Sequence, residues 1–184
     1  MLTKAPERSG RMDDGNTYFE LYNYDENSIL KRFYATDLPF ISQAFELYKG
    51  SVTLKKDRTK IASFMRFMPM FTITEIETGS SKQYFPFGKP NDIKEYIETP
   101  GHYYWGVCVT DDRIIALYKG GVDPMRLSSD TLTSYLHIFN WGGSLLHKIE
   151  IEDNIKCISF DERTGMIYAV MMNDEIKRYD IDII

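Results

Sequence analysis

A chain of 184 residues with 43% hydrophobic and 14% aromatic side chains carries enough apolar material for one buried core, which excludes a disordered chain. Its net charge of -5, with Lys and Arg scattered singly among acids, leaves no basic stripe to displace phosphate counterions and argues against a nucleic-acid partner. No apolar run approaches the roughly 18 to 20 residues that span a bilayer, and the opening residues, Met1 to Gly15, lack the charged start, apolar run and cleavage site of an export signal.

In chain order, residues 1–16 are polar and charged with Gly10, Gly15 and Pro6, a composition expected of a flexible lead-in to a domain over 17–184. Tyr18 to Tyr24 and Ile29 to Tyr34 then read as two strands around the turn residues Asp25 to Ser28. Leu38 to Gly50 opens on Pro39 and spaces Ile41, Phe45 and Tyr48 nearly as a helix would, so a loop with a short helix is expected. Ser51 to Leu54, Lys60 to Phe67, Phe71 to Ile76 and Lys82 to Phe87 form a four-strand meander. Asn91 or Asp92 is placed to cap a short helix that Pro100 ends.

From Tyr103 the pattern is clearest. Val107 to Tyr118 is a hairpin turning at Asp111-Asp112-Arg113, and Gly120 to Ser134, with Pro124 and a Ser128-Ser129-Asp130 cluster, reads as an insertion loop. Leu136 to Glu150 is a hairpin around Asn140-Trp141-Gly142-Gly143. Cys157 to Val170 is another, with Gly165 able to supply the positive φ that closes its turn. Glu175 to Ile181 is the last strand.

The inner hairpins turn at Asp57, Asp111 and Asp161, a recurrence of about 50 residues that falls among propeller-type repeats. Two outer hairpins carry large apolar groups on both faces, as strands covered on both sides do. The expected fold is therefore all-β: a partial β-propeller of about three to four blades, each a four-stranded antiparallel meander, with a two-sheet β-sandwich as the alternative.

The order of the Val107 to Tyr118 hairpin, the insertion, Leu136-His-Ile-Phe-Asn-Trp-Gly-Gly-Ser144 and Ile158-Ser-Phe-Asp-Glu-Arg-Thr-Gly-Met-Ile-Tyr-Ala169 resembles the C-terminal part of the TolB-like six-bladed propeller proteins common in Bacteroides and relatives. The shared features are an aromatic-Asn-Trp-x-Gly turn and an Asp-Glu-x-x-x-x-Ile-Tyr-Ala run, and the likeness covers mainly Tyr103 to Ile184. It implies a cell-envelope location and a full ring, so the expectation is that either a second copy of the chain or further blades upstream complete it.

Candidate chemistry is sparse. Residues His102, Tyr103, Tyr104 and Trp105 lead into an inner strand, which in a propeller lies near the channel mouth, where aromatic faces can stack on a sugar or peptide. These four are the expected ligand-binding residues, and packing against a neighbouring blade is their simpler role. His137 and His147 face each other across a three-residue turn and lie on opposite faces across a two-residue one, and no further ligands are spaced to complete a metal site. The acidic pairs Asp111-Asp112, Asp161-Glu162 and Asp174-Glu175 fit turn chemistry better than catalysis or calcium binding. Cys108 and Cys157 read as buried free thiols, and Met65, Met68 and Met70 as core filler. No catalytic residue, cofactor or metal is expected. The reading is a non-catalytic module that binds a protein or small ligand, against a propeller hydrolase or lyase with channel-lining catalytic residues, or a purely structural fragment of a larger ring.

Overall fold

The computed structural model describes residues 2–4, 18–34, 49–128 and 132–181, and within them the protein is almost entirely β. Four antiparallel sheets follow one another along the chain. The first contains β1 (Leu2–Lys4), β2 (Tyr18–Asn23) and β3 (Ser28–Tyr34). The second is the meander β4 (Gly50–Leu54), β5 (Lys60–Met65), β6 (Phe71–Glu75) and β7 (Ser81–Tyr84). After helix α1 (Lys94–Glu98) comes the third, of β8 (His102–Val109), β9 (Arg113–Val122), β10 (Ser134–Asn140) and β11 (Leu145–Ile151). The fourth holds β12 (Ile155–Asp161), β13 (Met166–Met171) and β14 (Ile176–Asp180). Leu2–Lys4 pairs with β2 although it lies in the stretch expected as a lead-in, while residues 5–17 and the helix expected after Leu38 fall outside the described residues.

Turn chemistry explains where the strands stop. Asn140 Oδ1 accepts from the amides of Gly142 (2.9 Å) and Ser144 (3.0 Å), and Gly143 closes that turn at φ +87°. Asp161 Oδ1 accepts from the Arg163 amide at 3.0 Å, and Gly165, at φ +70°, donates to the Asp161 carbonyl at 2.8 Å. Asp92 Oδ1 accepts from the Lys94 amide at 2.9 Å, so it holds the start of α1 although the boundary residue is Ile93.

The expected end of β9 is displaced. The strand does not stop at Tyr118 but bulges through Gly120 and Gly121, both at positive φ (+76° and +77°), and pairs Val122 with His102. Two glycines that tolerate the left-handed region let the strand bend and continue. The connection is correspondingly shorter than expected, with a 3-10 turn at Pro124–Arg126 started by Asp123, whose carboxylate accepts from the Met125 amide.

Alternation within the third sheet determines how the sheets stack. On β9, Ile114, Ala116 and Tyr118 join a core with Phe64, Phe71 and Ile73 of the second sheet, while Ile115 and Leu117 join a core with Ile155, Ile167, Ala169 and Met171 of the fourth. The third sheet is therefore covered on both faces by different sheets. A further core of Ile61, Met65, Met68 and Met70 lies on the other face of the second sheet, against Ile93 and Ile97 flanking and within α1. The first strands of these sheets lie together, with β8 packing along both β4 and β12. At their C-terminal ends, Lys56 on the β4–β5 turn reaches Glu162 on the β12–β13 turn and Asp111 (3.9 Å) on the β8–β9 turn.

One expectation about side chains is corrected, and one open alternative is decided. Cys157 is exposed, because it lies on the face of the fourth sheet turned away from the third, and Cys108 is largely covered, its thiol pushed up to about 12 by burial. His137 pairs with Lys148 and Ile138 with His147, so the two histidines occupy opposite faces: His137 is fully buried and His147 exposed.

The stacking makes a graded prediction. A Cβ at Gly143 would lie 2.0 Å from the Tyr84 ring of the second sheet, whereas one at Gly165 would meet nothing within 4 Å. Gly165→Ala should cost about 1 kcal/mol for its left-handed backbone alone, and Gly143→Ala about 3 kcal/mol once overpacking is added. Urea titrations giving equal losses would count against this contact between sheets.

Candidate functional site

The N-terminal ends of β4, β8 and β12 gather the polar groups with the most unusual environments. β8 enters with His102 opposite Val122, and the register then slips twice, between His102 and Tyr104 and between Tyr104 and Gly106. Simple alternation would put Tyr104 on one face and both Tyr103 and Trp105 on the other; the bulges instead bring His102 and Trp105 together, the indole Nε1–H donating to His102 Nδ1 at 2.9 Å. That bond fixes the imidazole as the tautomer whose Nε2 carries the proton. Burial, followed by the nearby Arg66 cation, holds the His102 pKa below its ordinary value.

The four residues read from the sequence thus separate. His102 is buried, with its ring edge against Phe67 at 4.9 Å. Trp105 is half-buried and faces the cluster. Tyr103 is half-buried, its ring against Tyr96 (5.7 Å) and packed so closely on Gly121 that a Cβ there would come within 2.8 Å. Tyr104 is fully buried between sheets, against Phe64 and Tyr118, and has no face to offer a ligand.

Two cations that sequence reasoning passed over complete the cluster. Arg66 follows β5, and its backbone is clamped: its N–H donates to the Lys49 carbonyl and its carbonyl accepts from Tyr103 N–H, both at 2.7 Å. Its guanidinium carbon lies 5.5 Å from the centroid of the Trp105 ring, and its buried Nε has no hydrogen-bond partner. Lys119 Nζ lies 5.7 Å from the same ring centroid. Lys119 is 1% exposed and donates to Ser134 Oγ (3.0 Å) and Asn154 Oδ1 (2.7 Å). Among the described residues no carboxylate pairs with either cation. Desolvation lowers the Lys119 ammonium to about 8.

The signal for Lys119 was in the sequence. It continues the phase of Ile115 and Leu117, so a strand running past Tyr118 puts its side chain on a buried face. Asn154 carries the cluster outward, donating through Nδ2 to the Leu127 carbonyl at 2.7 Å and lining, with Asp153, Met171, Asn173 and Lys177, a hollow of about 110 Å³. That hollow is smaller than the roughly 300 Å³ at which drug-sized ligand sites begin. Among the described residues no three His, Cys, Asp or Glu side chains gather to hold a metal ion, and no helix is long and apolar enough to cross a membrane. The arrangement is two cations, Arg66 and Lys119, near the ring of one indole whose Nε1–H edge is held by His102. Cations placed in this way are able to pair with a negatively charged group.

Lys119 gives a pH signature with a definite sign. Its value is about 8 in the folded protein against 10.5 for the free side chain, so between those limits the unfolded chain binds more protons and stability rises with pH. The stability of the native protein relative to Lys119→Met should be flat from about pH 6 to 7 and climb between about pH 8 and 10, by at most about 1.4 kcal/mol per pH unit. A difference that stays flat across denaturant titrations in the alkaline range would show that the ammonium is not desolvated.

No protein-family model matches this chain, and neither does any curated protein. Solved structures similar in fold include a functionally unknown protein from Desulfotomaculum acetoxidans DSM 771, 9% identical with a TM-score of 0.52, where the match covers 91% of this chain and 50% of that one. Another is a protein of unknown function from Bacteroides caccae, 13% identical with a TM-score of 0.48, covering 91% and 55%. The chain spans about half the length of both.

Proposed function

We propose that this chain is a non-catalytic binding module built from β-propeller blades, akin to part of a TolB-like ring, and that the N-terminal mouth of its inner strands takes an anionic ligand. Several features support the propeller reading over a two-sheet sandwich. The first strands β4, β8 and β12 lie side by side, Lys56 gathers three inner turns at one end, and the third sheet is covered on both faces by different sheets. A sandwich covers each sheet on its inner face only.

The observation that carries the ligand class is the pair of cations within 6 Å of the Trp105 ring centroid, with no carboxylate on either among the described residues. A chain with net charge -5 has acids to spare for neutralising an arginine. Leaving Arg66 with a buried, unpartnered Nε keeps a charged donor ready for an incoming carboxylate or sulfate. Trp105 adds a flat face suited to a sugar ring or peptide plane.

Indole fluorescence is the direct test, with triglutamate and trigalacturonate as anionic probes and trialanine and maltotriose as their neutral controls. At least one anionic probe should perturb Trp105 and bind tenfold or more tightly than its control, weakening as salt is raised. Arg66→Gln should cost that probe a further tenfold or more. If neither acid binds better than its neutral control, the anionic reading fails, and the cluster serves to join the sheets.

A further inference from the structure

Beyond the mouth, between the second and third sheets, lies a second feature that does not depend on that reading. His137 is completely buried, its Nδ1 lies 3.3 Å from the Tyr104 hydroxyl, and its Nε2 has no hydrogen-bond partner. The imidazole is stacked on Tyr118 at 4.3 Å and 25°. A buried imidazole nitrogen without a partner costs about 1–3 kcal/mol, and native cores rarely keep one without a reason.

Of the aromatic rings around the imidazole, Phe87 is the one that reaches solvent. Phe87 stacks on Tyr118 at 5.2 Å and 28° and lies 5.5 Å from the imidazole, yet is itself 51% exposed. It sits between Pro86 and Gly88 in the segment joining β7 to α1, in a turn held by the Gly88 N–H donating to the Phe85 carbonyl at 3.1 Å. Gly88 has φ +94°, and a Cβ there would meet nothing within 4 Å. Phe87 is thus a half-exposed ring on a short turn, against a shelf of two stacked rings. It fills the shelf sterically and has no polar atom with which to satisfy the imidazole.

We propose that the Tyr118–His137 shelf is a binding site for a phenolic ring, and that Phe87 is an internal plug the ligand displaces. The phenol ring takes the place of the Phe87 ring on Tyr118, and its hydroxyl pairs with His137 Nε2. The hydroxyl both donates and accepts, so it serves either imidazole tautomer. Phe87 itself shows that an aryl ring fits the shelf; the orphaned nitrogen specifies the hydroxyl.

The test uses Phe87→Ala, which opens the shelf by removing a half-exposed side chain, with Phe87→Leu as a second variant that keeps an apolar cover without a ring. Each is titrated with p-cresol and with toluene while the imidazole nitrogens of the three histidines are followed by NMR. In Phe87→Ala, p-cresol should bind at least tenfold tighter than toluene and move the His137 Nε2 resonance, leaving the exposed His147 unmoved. The native protein should bind p-cresol at least tenfold more weakly, because the plug competes, and Phe87→Leu should fall between. N-acetyltyrosinamide binding as well as p-cresol identifies a tyrosyl side chain as the source of the ring, and p-cresol binding alone identifies a free phenol. Equal affinity for toluene and p-cresol, an unmoved His137 signal, or native binding as tight as that of the opened variants overturns the proposal.

Discussion

The structure depends on the third sheet being buried from both sides. Strand β9 sends Ile114, Ala116 and Tyr118 toward one neighbour and Ile115, Leu117 and Lys119 toward the other, so a single pleat supplies two cores at once. Each large side chain so buried contributes about 1.5–3 kcal/mol relative to leaving it exposed. A slip of one residue in β9 would exchange the two sets and bring Lys119 among Phe64, Phe71 and Tyr104. The register is therefore held by the cost of that misplaced ammonium as well as by the apolar gain. Within its own layer the ammonium is satisfied by Ser134 and Asn154, side chains placed by β10 and by the turn before β12.

Aromatic rings do most of the filling between the second and third sheets. Phe64 stacks on Phe71 at 4.6 Å, Phe71 on Tyr84 at 4.9 Å, and Phe139 tilts against both Phe64 and Phe71. Rings of this size leave little freedom in the spacing of the sheets, and Gly143 is required where the Tyr84 ring passes under the β10–β11 turn. The same density explains how His137 can be fully buried and half-satisfied. Its Nδ1 has found Tyr104, but the neighbours around the rest of the ring are predominantly aromatic: Tyr118, Phe87 and Phe139.

Much of this was legible in the chain, and what was missed has a common cause. The hairpin turns at Asp57, Asn140 and Asp161 were readable because they are local: the side chain that makes each turn accepts from an amide two residues on. Burial on both faces was expected of the outer hairpins, whereas β11 is largely exposed and it is the inner strand β9 that feeds two cores. The entry to β8 was identified as the place of interest, yet which of its four residues face the cluster was not readable, since the bulges that redirect Trp105 depend on Gly120 and Gly121 across the sheet. Cys157 was misjudged for a related reason: its strand is apolar in pattern, but exposure is decided by whether another sheet covers that face. Arg66 and Lys119 gave only isolated charges in apolar surroundings, and their meaning comes from the indole they share, which is distant from both in sequence.

The two ends of the inner strands are chemically opposite. At the C-terminal ends, Asp57, Asp111, Asp112 and Glu162 crowd the turns, and Lys55, Lys56 and Arg113 offset them in pairs that are partly or largely exposed. Such pairs are individually worth under about 1 kcal/mol, so this end is an ordinary solvated surface. At the N-terminal ends Lys119 has been drawn out of water beside Trp105, and Arg66 lies near the same ring with its Nε buried. Desolvation strengthens whatever charge they meet, because the effective dielectric there is lower than at the turns. The solvated ion pairs and the desolvated cations thus lie at opposite ends of the same inner strands.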